Sequence, residues 1–190
     1  DSSGRVVAFS GRQYESDGTQ AKYINSPETS LFEKSKILYG FDKAKLEIRK
    51  QDFTLLVEGQ MDFIMAWQDG IKNLVATSGT ALTPDHLKTL RRLSENIVLS
   101  FDNDSAGRAA AERTIDLAQS NDFNVKVILF GASVGKDPAD IVREKPGHFK
   151  HLIDSAVPAM EYYFDFYSVS RNQDISQKKK NNSNWLFSFS

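Results

Sequence analysis

The sequence has no cysteine among its 190 residues. This absence excludes disulfide cross-links, thiolate zinc sites and a cysteine nucleophile. No uninterrupted apolar stretch approaches the roughly 20 residues that a helix needs to cross a bilayer. The chain also begins without methionine and without a signal-peptide pattern. We therefore expect a cytoplasmic protein with no membrane partner, and we expect the chain to be a piece of a longer one.

Neither sign of charge dominates, because 24 Lys and Arg face 25 Asp and Glu, for a net charge of −1. The distribution is nevertheless uneven. Residues 1–50 carry nine basic and seven acidic side chains, a net charge of +2, whereas residues 51–153 carry eleven and fourteen, a net charge of −3. A basic part beside an acidic part suits a protein that holds polyanions near bound cations.

Short apolar runs alternate with helical patterns from residue 52 onward. The runs are FTLLVEG, NLVATSG, NIVLSFDND and FNVKVILFG. Helical spacing or an N-cap signal such as Thr83-Pro84 follows each of the first three. This alternation predicts an α/β fold with a mainly parallel sheet that is covered by helices on both faces.

The flanking segments have different patterns. RVVAFSGRQY and AKYIN predict two strands around the turn ESDGTQ, followed by one or two short helical turns and a helix or linker over residues 41–51. VPAMEYYFDFYSVS predicts the start of a new helix, and residues 171–190 are typical of a disordered or aberrant tail. We expect a partial basic subdomain at 1–50, an α/β domain at 51–153 and the start of a helical subdomain at 154–170.

Acidic residues follow three of the four predicted strands. Glu58 ends the first run, Asp102 and Asp104 end the third, and Asp137 follows the fourth. Ligands of open α/β sheets bind beyond the carboxyl ends of the strands, so these carboxylates are expected to meet in one pocket. Such a cluster repels itself unless cations occupy it, and oxygen ligands suit Mg²⁺ or Mn²⁺. Each residue alone has a plainer interpretation as a turn or helix cap, Asp104 and Asp137 especially.

Four of these segments together resemble the successive motifs of a TOPRIM domain, the fold shared by primases, topoisomerases and related nucleases. They are LVEGQMD, ATSGTALT, FDNDSAGRAAA and GKDPADIV. YINSPETSLFEKSKILYG, which precedes them, resembles the segment ahead of that domain in bacterial DnaG-type primases. The resemblance covers roughly residues 4–155 and implies a TOPRIM domain preceded by part of a small mixed α+β basic subdomain.

The resemblance implies roles for individual residues. Glu58, Asp102 and Asp104 match catalytic positions, and together with Asp137 they match the ligands of Mg²⁺ or Mn²⁺. The later motif, often written D-P-D, departs here to Asp137-Pro138-Ala139-Asp140, so Asp140 is not assigned as a ligand. Positions that face template DNA or nucleotide phosphates in the family are matched by Arg12, Lys22, Asn25 and Lys34.

The function that the resemblance implies is metal-dependent synthesis of short RNA primers on single-stranded DNA from NTPs during replication. It implies a cytoplasmic, nucleoid-associated nucleotidyltransferase that meets a replicative helicase through a domain absent from this chain. Two alternatives stay open: TOPRIM-type phosphodiester cleavage, as in a topoisomerase or nuclease, and a non-catalytic nucleic-acid-binding scaffold. Retention of Glu58, Asp102 and Asp104 favours an enzyme over the scaffold.

Several residues are interpreted as structural instead. Helical spacing predicts core positions for Met61, Ile64, Met65 and Trp67. The histidines are scattered and lack obvious partners, which predicts surface positions for His86, His148 and His151.

Overall fold

The computed structural model describes residues 1–12, 23–102, 104–130 and 137–164. The strands in this part of the chain are β1 (Ser10–Arg12), β2 (Tyr23–Asn25), β3 (Thr54–Val57), β4 (Leu74–Ala76), β5 (Asn96–Ser100), β6 (Asn124–Val127) and β7 (Val157–Pro158). The helices are α1 (Phe41–Gln51), α2 (Gln60–Gln68), α3 (Pro84–Arg91), α4 (Ser105–Gln119), α5 (Pro138–Glu144) and α6 (His148–Asp154), with a 3-10 turn at Lys34–Lys36 and a helical segment over residues 159–164. No helix of the described residues is both long and apolar enough to cross a membrane.

A five-stranded sheet in the order β4-β3-β5-β6-β7 forms the centre of the molecule. β4, β3, β5 and β6 run parallel, and β7 pairs antiparallel with β6 at the edge. The predicted mainly parallel sheet is therefore confirmed. The helix predicted to start at Val157 starts two residues later, because Val157 and Pro158 first extend the sheet. Pro158 is tolerated there because an edge strand does not need every backbone donor.

Helices cover both faces of this sheet. On one face, α1, α3 and α4 pack against alternate strand residues such as Leu56 and Leu99. On the other face, α2, α5 and α6 pack against the intervening residues, such as Leu55 and Val98. Successive side chains of a strand point to opposite faces, so each short apolar run supplies both cores at once. This arrangement explains why the strands are apolar throughout rather than alternating.

The helices that follow the strands begin at the predicted caps. Thr83 accepts a hydrogen bond from the backbone N–H of His86 at the start of α3. Asp104 Oδ1 accepts from the Gly107 N–H at 2.7 Å, and Asp137 Oδ1 accepts from the Asp140 N–H at 2.7 Å. These bonds satisfy backbone donors that a helix leaves unpaired in its first turn.

The first fifty residues attach to this sheet rather than standing apart from it. β1 and β2 form an antiparallel pair, and the turn predicted between them lies outside the described residues. Tyr39 forms a β-bridge with Ala76 of the edge strand β4. α1 spans the predicted segment and buries Ala44 and Ile48 completely in the first core.

Two structural predictions are wrong, one of them in part. α2 buries Asp62, Phe63 and Ala66, whereas Ile64 is exposed and Met61 is only half-buried. Met65 and Trp67 are half-buried and pack against the core, as predicted. The apolar spacing of α2 predicted part of the inward face wrongly, because the helix places Asp62 inward, where it contacts the start of α5. His86 is fully buried rather than at the surface, while His151 is exposed as predicted.

Candidate active site at the carboxyl ends of the sheet

Two of the predicted carboxylates lie at the point where the order of the strands reverses. The chain crosses from β3 to β4 on one side and then from β4 to β5 on the other, which makes β3 and β5 neighbours. Glu58 directly follows β3, and Asp102 comes two residues after β5, whose Ser100 is paired with Val57. A crevice forms at such a switch point, because the two crossovers leave it in opposite directions.

Glu58 is held in an environment that disfavours its negative charge. Burial, together with the charges of Asp102 and Asp104, raises the pKa of Glu58 above its ordinary value. Its Oε1 atom is buried and has no hydrogen-bond partner among the described residues. A buried carboxylate oxygen without a partner lowers the stability of the folded protein. A cation bound to this oxygen would offset that loss.

Asp62 is a second buried carboxylate, and sequence reasoning did not single it out. Its Oδ2 accepts from the Gly59 N–H at 3.1 Å and its Oδ1 from the Ala139 N–H at 3.4 Å. Burial, with further contributions from Asp137 and Asp102, raises the pKa of Asp62 to about 7. Asp62 therefore links the turn after β3 to the start of α5 through these two hydrogen bonds. Its carboxylate is also close enough to Asp137 and Asp102 to be affected by their negative charges. The signal in the sequence was an acidic residue three positions after Gly59, the capping-box position of α2, although its burial depends on the contact with α5.

The remaining acidic residues have protein partners. Asp104 and Asp137 cap helices, as described above, and Asp140 accepts from Arg143 at 2.6 Å in an i, i+3 ion pair. Within the described ranges, no three His, Asp or Glu side chains are grouped so that together they hold a metal ion. The four-ligand set of Glu58, Asp102, Asp104 and Asp137 therefore stays a prediction. Hard oxygen donors, mutual repulsion and the unpartnered Glu58 Oε1 fit a divalent cation.

Gly107 brings the first turn of α4 against the backbone of Asp102. A Cβ atom at position 107 would lie 2.1 Å from the Asp102 carbonyl oxygen. The absence of a side chain at Gly107 therefore allows the protein's own backbone to approach closely. It fixes the relative position of Asp102 and Asp104, the two carboxylates of the D-x-D motif.

Three of the four predicted nucleotide-binding or DNA-binding residues line a single cleft. Arg12, Asn25 and Lys34 contribute to a cavity of about 660 Å³, which also contacts the start of α2 at Gln60 and the loop after β4 at Ser78. Lys22 lies outside the described residues. The basic segment and the carboxyl edge of the sheet therefore meet at one opening.

Arg12 and Lys34 are available to a ligand in this cleft. Arg12 is exposed and its guanidinium stacks 5.8 Å from the centroid of the Tyr23 ring, which orients it without neutralising it. Lys34 is half-buried and makes no ion pair with the described residues.

Comparisons with known proteins agree with this architecture. A family model described as "Toprim-like" matches residues 55–142, and one described as "DNA primase catalytic core, N-terminal domain" matches residues 1–45. The chain is 37% identical over 171 residues to a DNA primase of Halalkalibacterium halodurans, covering 89% of this chain and 28% of that protein. It is 45% identical over 139 residues to a DNA primase of Staphylococcus aureus, covering 73% and 22%.

Solved structures of DNA primases also resemble this chain. A Pseudomonas aeruginosa DNA primase domain aligns with a TM-score of 0.78 and 39% identity, covering 90% of this chain and 53% of that one. The Aquifex aeolicus primase, with its zinc-binding and RNA polymerase domains, also gives a TM-score of 0.78, at 31% identity and with 95% and 43% coverage.

The sheet, its flanking helices and the carboxylates at its switch point define a TOPRIM fold. Residues 1–45, which precede this fold, match the N-terminal domain of the DNA primase catalytic core and so distinguish primases from other TOPRIM proteins. The chain belongs to the bacterial DnaG-type primases and corresponds to a fragment of such a protein. It spans about 28% of the length of the curated relatives it matches first. Membership of this family implies a requirement for a divalent metal.

Proposed function

We propose that this chain carries the polymerisation centre of a DNA primase, a nucleotidyltransferase that makes short RNA primers on single-stranded DNA from NTPs during replication. One observation carries the proposal: the cleft that holds Arg12, Asn25 and Lys34 reaches the first residue of α2, Gln60, two residues along the chain from Glu58, and the loop after β4 at Ser78. Side chains that attract phosphates and carboxylates that bind metal are thereby offered to the same substrate. A DnaG primase catalytic domain of 34% identity has been solved bound to single-stranded DNA, and it aligns with a TM-score of 0.72.

Glu58, Asp102, Asp104 and Asp137 are the proposed ligands of Mg²⁺ or Mn²⁺, with Glu58, Asp102 and Asp104 as the catalytic set. When bound, the metal would lower the pKa of the attacking 3′-hydroxyl and neutralise charge on the leaving pyrophosphate. Glu58 would present its unpartnered Oε1 to the cation. The caps at Asp104 and Asp137 use Oδ1, so the Oδ2 atoms of both side chains are the ones proposed for the metal.

The cationic side chains would act on the nucleic acid and the triphosphate. Arg12, Lys22 and Lys34 would attract phosphates by charge, and Asn25 would position them by a hydrogen bond. Most of the catalytic effect would therefore come from positioning and electrostatics, with no covalent intermediate on a side chain.

The domain organisation proposed from the sequence is retained. Residues 1–50 form part of the basic N-terminal subdomain, 51–153 the TOPRIM domain, 154–170 the start of a helical subdomain, and 171–190 a tail that lies outside the described residues. The contacts of α1 with the sheet core support a close association of the first two. In the cell, we place the protein in the cytoplasm at the nucleoid, with the replicative helicase as a partner of the longer protein.

Incorporation of labelled ribonucleotides tests this proposal. The chain is incubated with Mn²⁺, NTPs and a single-stranded DNA template, beside the Glu58→Gln variant as a control of nearly equal volume. Primer synthesis that depends on template, on metal and on Glu58 supports the assignment. Cleavage of the template without incorporation supports the nuclease or topoisomerase alternative, and template binding with neither reaction supports the scaffold.

A further inference from the structure

His86 is the only histidine of the described residues that is fully buried, and it faces the basic segment rather than the sheet alone. Its ring Nε2 lies 2.9 Å from the carbonyl oxygen of Lys34. One turn earlier, the Thr83 hydroxyl donates to the carbonyl oxygen of Ser35 at 2.5 Å. The first turn of α3 therefore holds two consecutive carbonyls of the 3-10 turn that bears Lys34, across about fifty residues of sequence.

The chemistry of the contact fixes the protonation of the imidazole. A carbonyl oxygen only accepts, so Nε2 carries the proton and donates it to Lys34. Burial lowers the pKa of His86, against opposing contributions from the Lys34 and Ile37 carbonyls, which keeps the ring neutral near pH 7. Nδ1 is then an unprotonated, buried nitrogen without a hydrogen-bond partner among the described residues.

An unpartnered buried nitrogen lowers stability relative to an apolar side chain of the same size. If the position served only the core, where Leu87 and Leu90 of the same helix are buried, leucine would fill it without this cost. The donor at Nε2 is the property that leucine lacks. Its acceptor is the backbone of a residue whose side chain lines the cleft.

Lys34 is fixed through both of its backbone polar groups. Its N–H donates to Glu28 Oε1 at 2.9 Å, and its carbonyl accepts from His86. Fixing the backbone fixes the direction of the Cα–Cβ bond. The flexible four-carbon stem of the lysine then starts toward the cleft, and less conformational freedom is lost when the ammonium group meets a phosphate.

We propose that His86, assisted by Thr83, is a positioning residue that holds Lys34 toward the phosphates of the nucleic acid in the cleft. The inference rests on the proposed function, because it assumes that Lys34 binds nucleic acid. It assigns a role in substrate binding to α3, which carries none of the proposed metal ligands.

A double-mutant cycle tests the coupling. The variants are His86→Met, Lys34→Met and the double substitution, and the exposed His151→Met is the matched control. The readout is the affinity for a fluorescein-labelled oligodeoxythymidylate, measured by anisotropy at low salt, with circular dichroism to verify folding. Because one hydrogen bond is lost, we expect His86→Met to weaken binding roughly three-fold to ten-fold in the wild-type background. With Lys34 already replaced, it should weaken binding no further.

The remaining outcomes separate the two proposals. Equal weakening by His86→Met in both backgrounds overturns the positioning role, since His86 would then act independently of Lys34. An unchanged affinity of Lys34→Met overturns the proposed role of Lys34 itself. His86→Gln, whose amide N–H replaces the Nε2 donor, should recover part of the loss, whereas a purely structural role predicts no recovery. If His86→Met does not fold, Thr83→Val enters the same cycle, with the same coupling expected and additivity overturning the proposal.

Discussion

Replacing Gly107 by alanine is expected to destabilise the protein even though alanine is the better helix former. The added Cβ would lie 2.1 Å from the Asp102 carbonyl oxygen and 2.8 Å from its carbon, both of which are backbone atoms that cannot rotate away. The first turn of α4 must therefore move, and the 2.7 Å bond from the Gly107 N–H to Asp104 is then lost.

The magnitude follows from three contributions. Overpacking of this kind costs about 1–3 kcal/mol, and loss of a carboxylate cap costs about 1 kcal/mol. The higher helix propensity of alanine returns about 1 kcal/mol. The net effect is a loss of about 1–3 kcal/mol in the free energy of unfolding. Because the same movement separates Asp102 from Asp104, we also expect weaker Mn²⁺ binding.

Urea denaturation followed by circular dichroism measures the stability, and calorimetry measures the metal affinity. The matched control is Ala109→Gly, at an exposed position of the same helix, which reports helix propensity alone. That variant should lose about 1 kcal/mol and keep its metal affinity. A Gly107→Ala protein that is as stable as the wild type, with unchanged Mn²⁺ affinity, would refute the close approach of α4 to Asp102.

Two further predictions concern charge. Because the pKa of Asp62 is raised to about 7, the folded protein binds a proton that the unfolded chain has released, so the free energy of unfolding should fall as pH rises from about 4 to 7. Asp62→Asn should remove up to about 4 kcal/mol of this fall, and identical pH profiles in urea with EDTA would contradict it. Arg12→Ala and Lys34→Met should each reduce the slope of log affinity for single-stranded DNA against log salt by roughly 0.7, and unchanged slopes would remove these residues from the interface.

The sequence predicted the sheet because its signals are local. Each buried strand is a short apolar run, and each following helix begins at a recognisable cap such as Thr83, Asp104 or Asp137. The carboxyl-end rule then brought Glu58 and Asp102 to neighbouring strands without any knowledge of distances. The predicted sheet is confirmed because the period and the caps depend on few residues, whereas the ligand set of the site stays a prediction.

The features that were missed depend on distant contacts. His86 reads as a polar residue on a surface helix, and the carbonyl of Lys34, contributed by another segment, gives it a buried partner. Asp62 interrupts an apolar pattern, and its burial follows from the packing of α2 against α5, which no local spacing indicates. Val157 and Pro158 pair with β6 at the open edge of the sheet, although the apolar pattern that follows them favours a helix.

Mn²⁺ binding by calorimetry tests the central claim most directly, with the wild-type chain compared with the Asp102→Asn, Asp104→Asn double variant. We expect metal binding to require only the folded TOPRIM domain, whose proposed ligands all lie in this chain. We expect binding by the wild type and its loss in the double variant, with the circular dichroism spectrum and urea midpoint showing that the variant remains folded. Equal binding by the two folded proteins, or no binding by either, would contradict a metal centre at the carboxyl ends of β3 and β5.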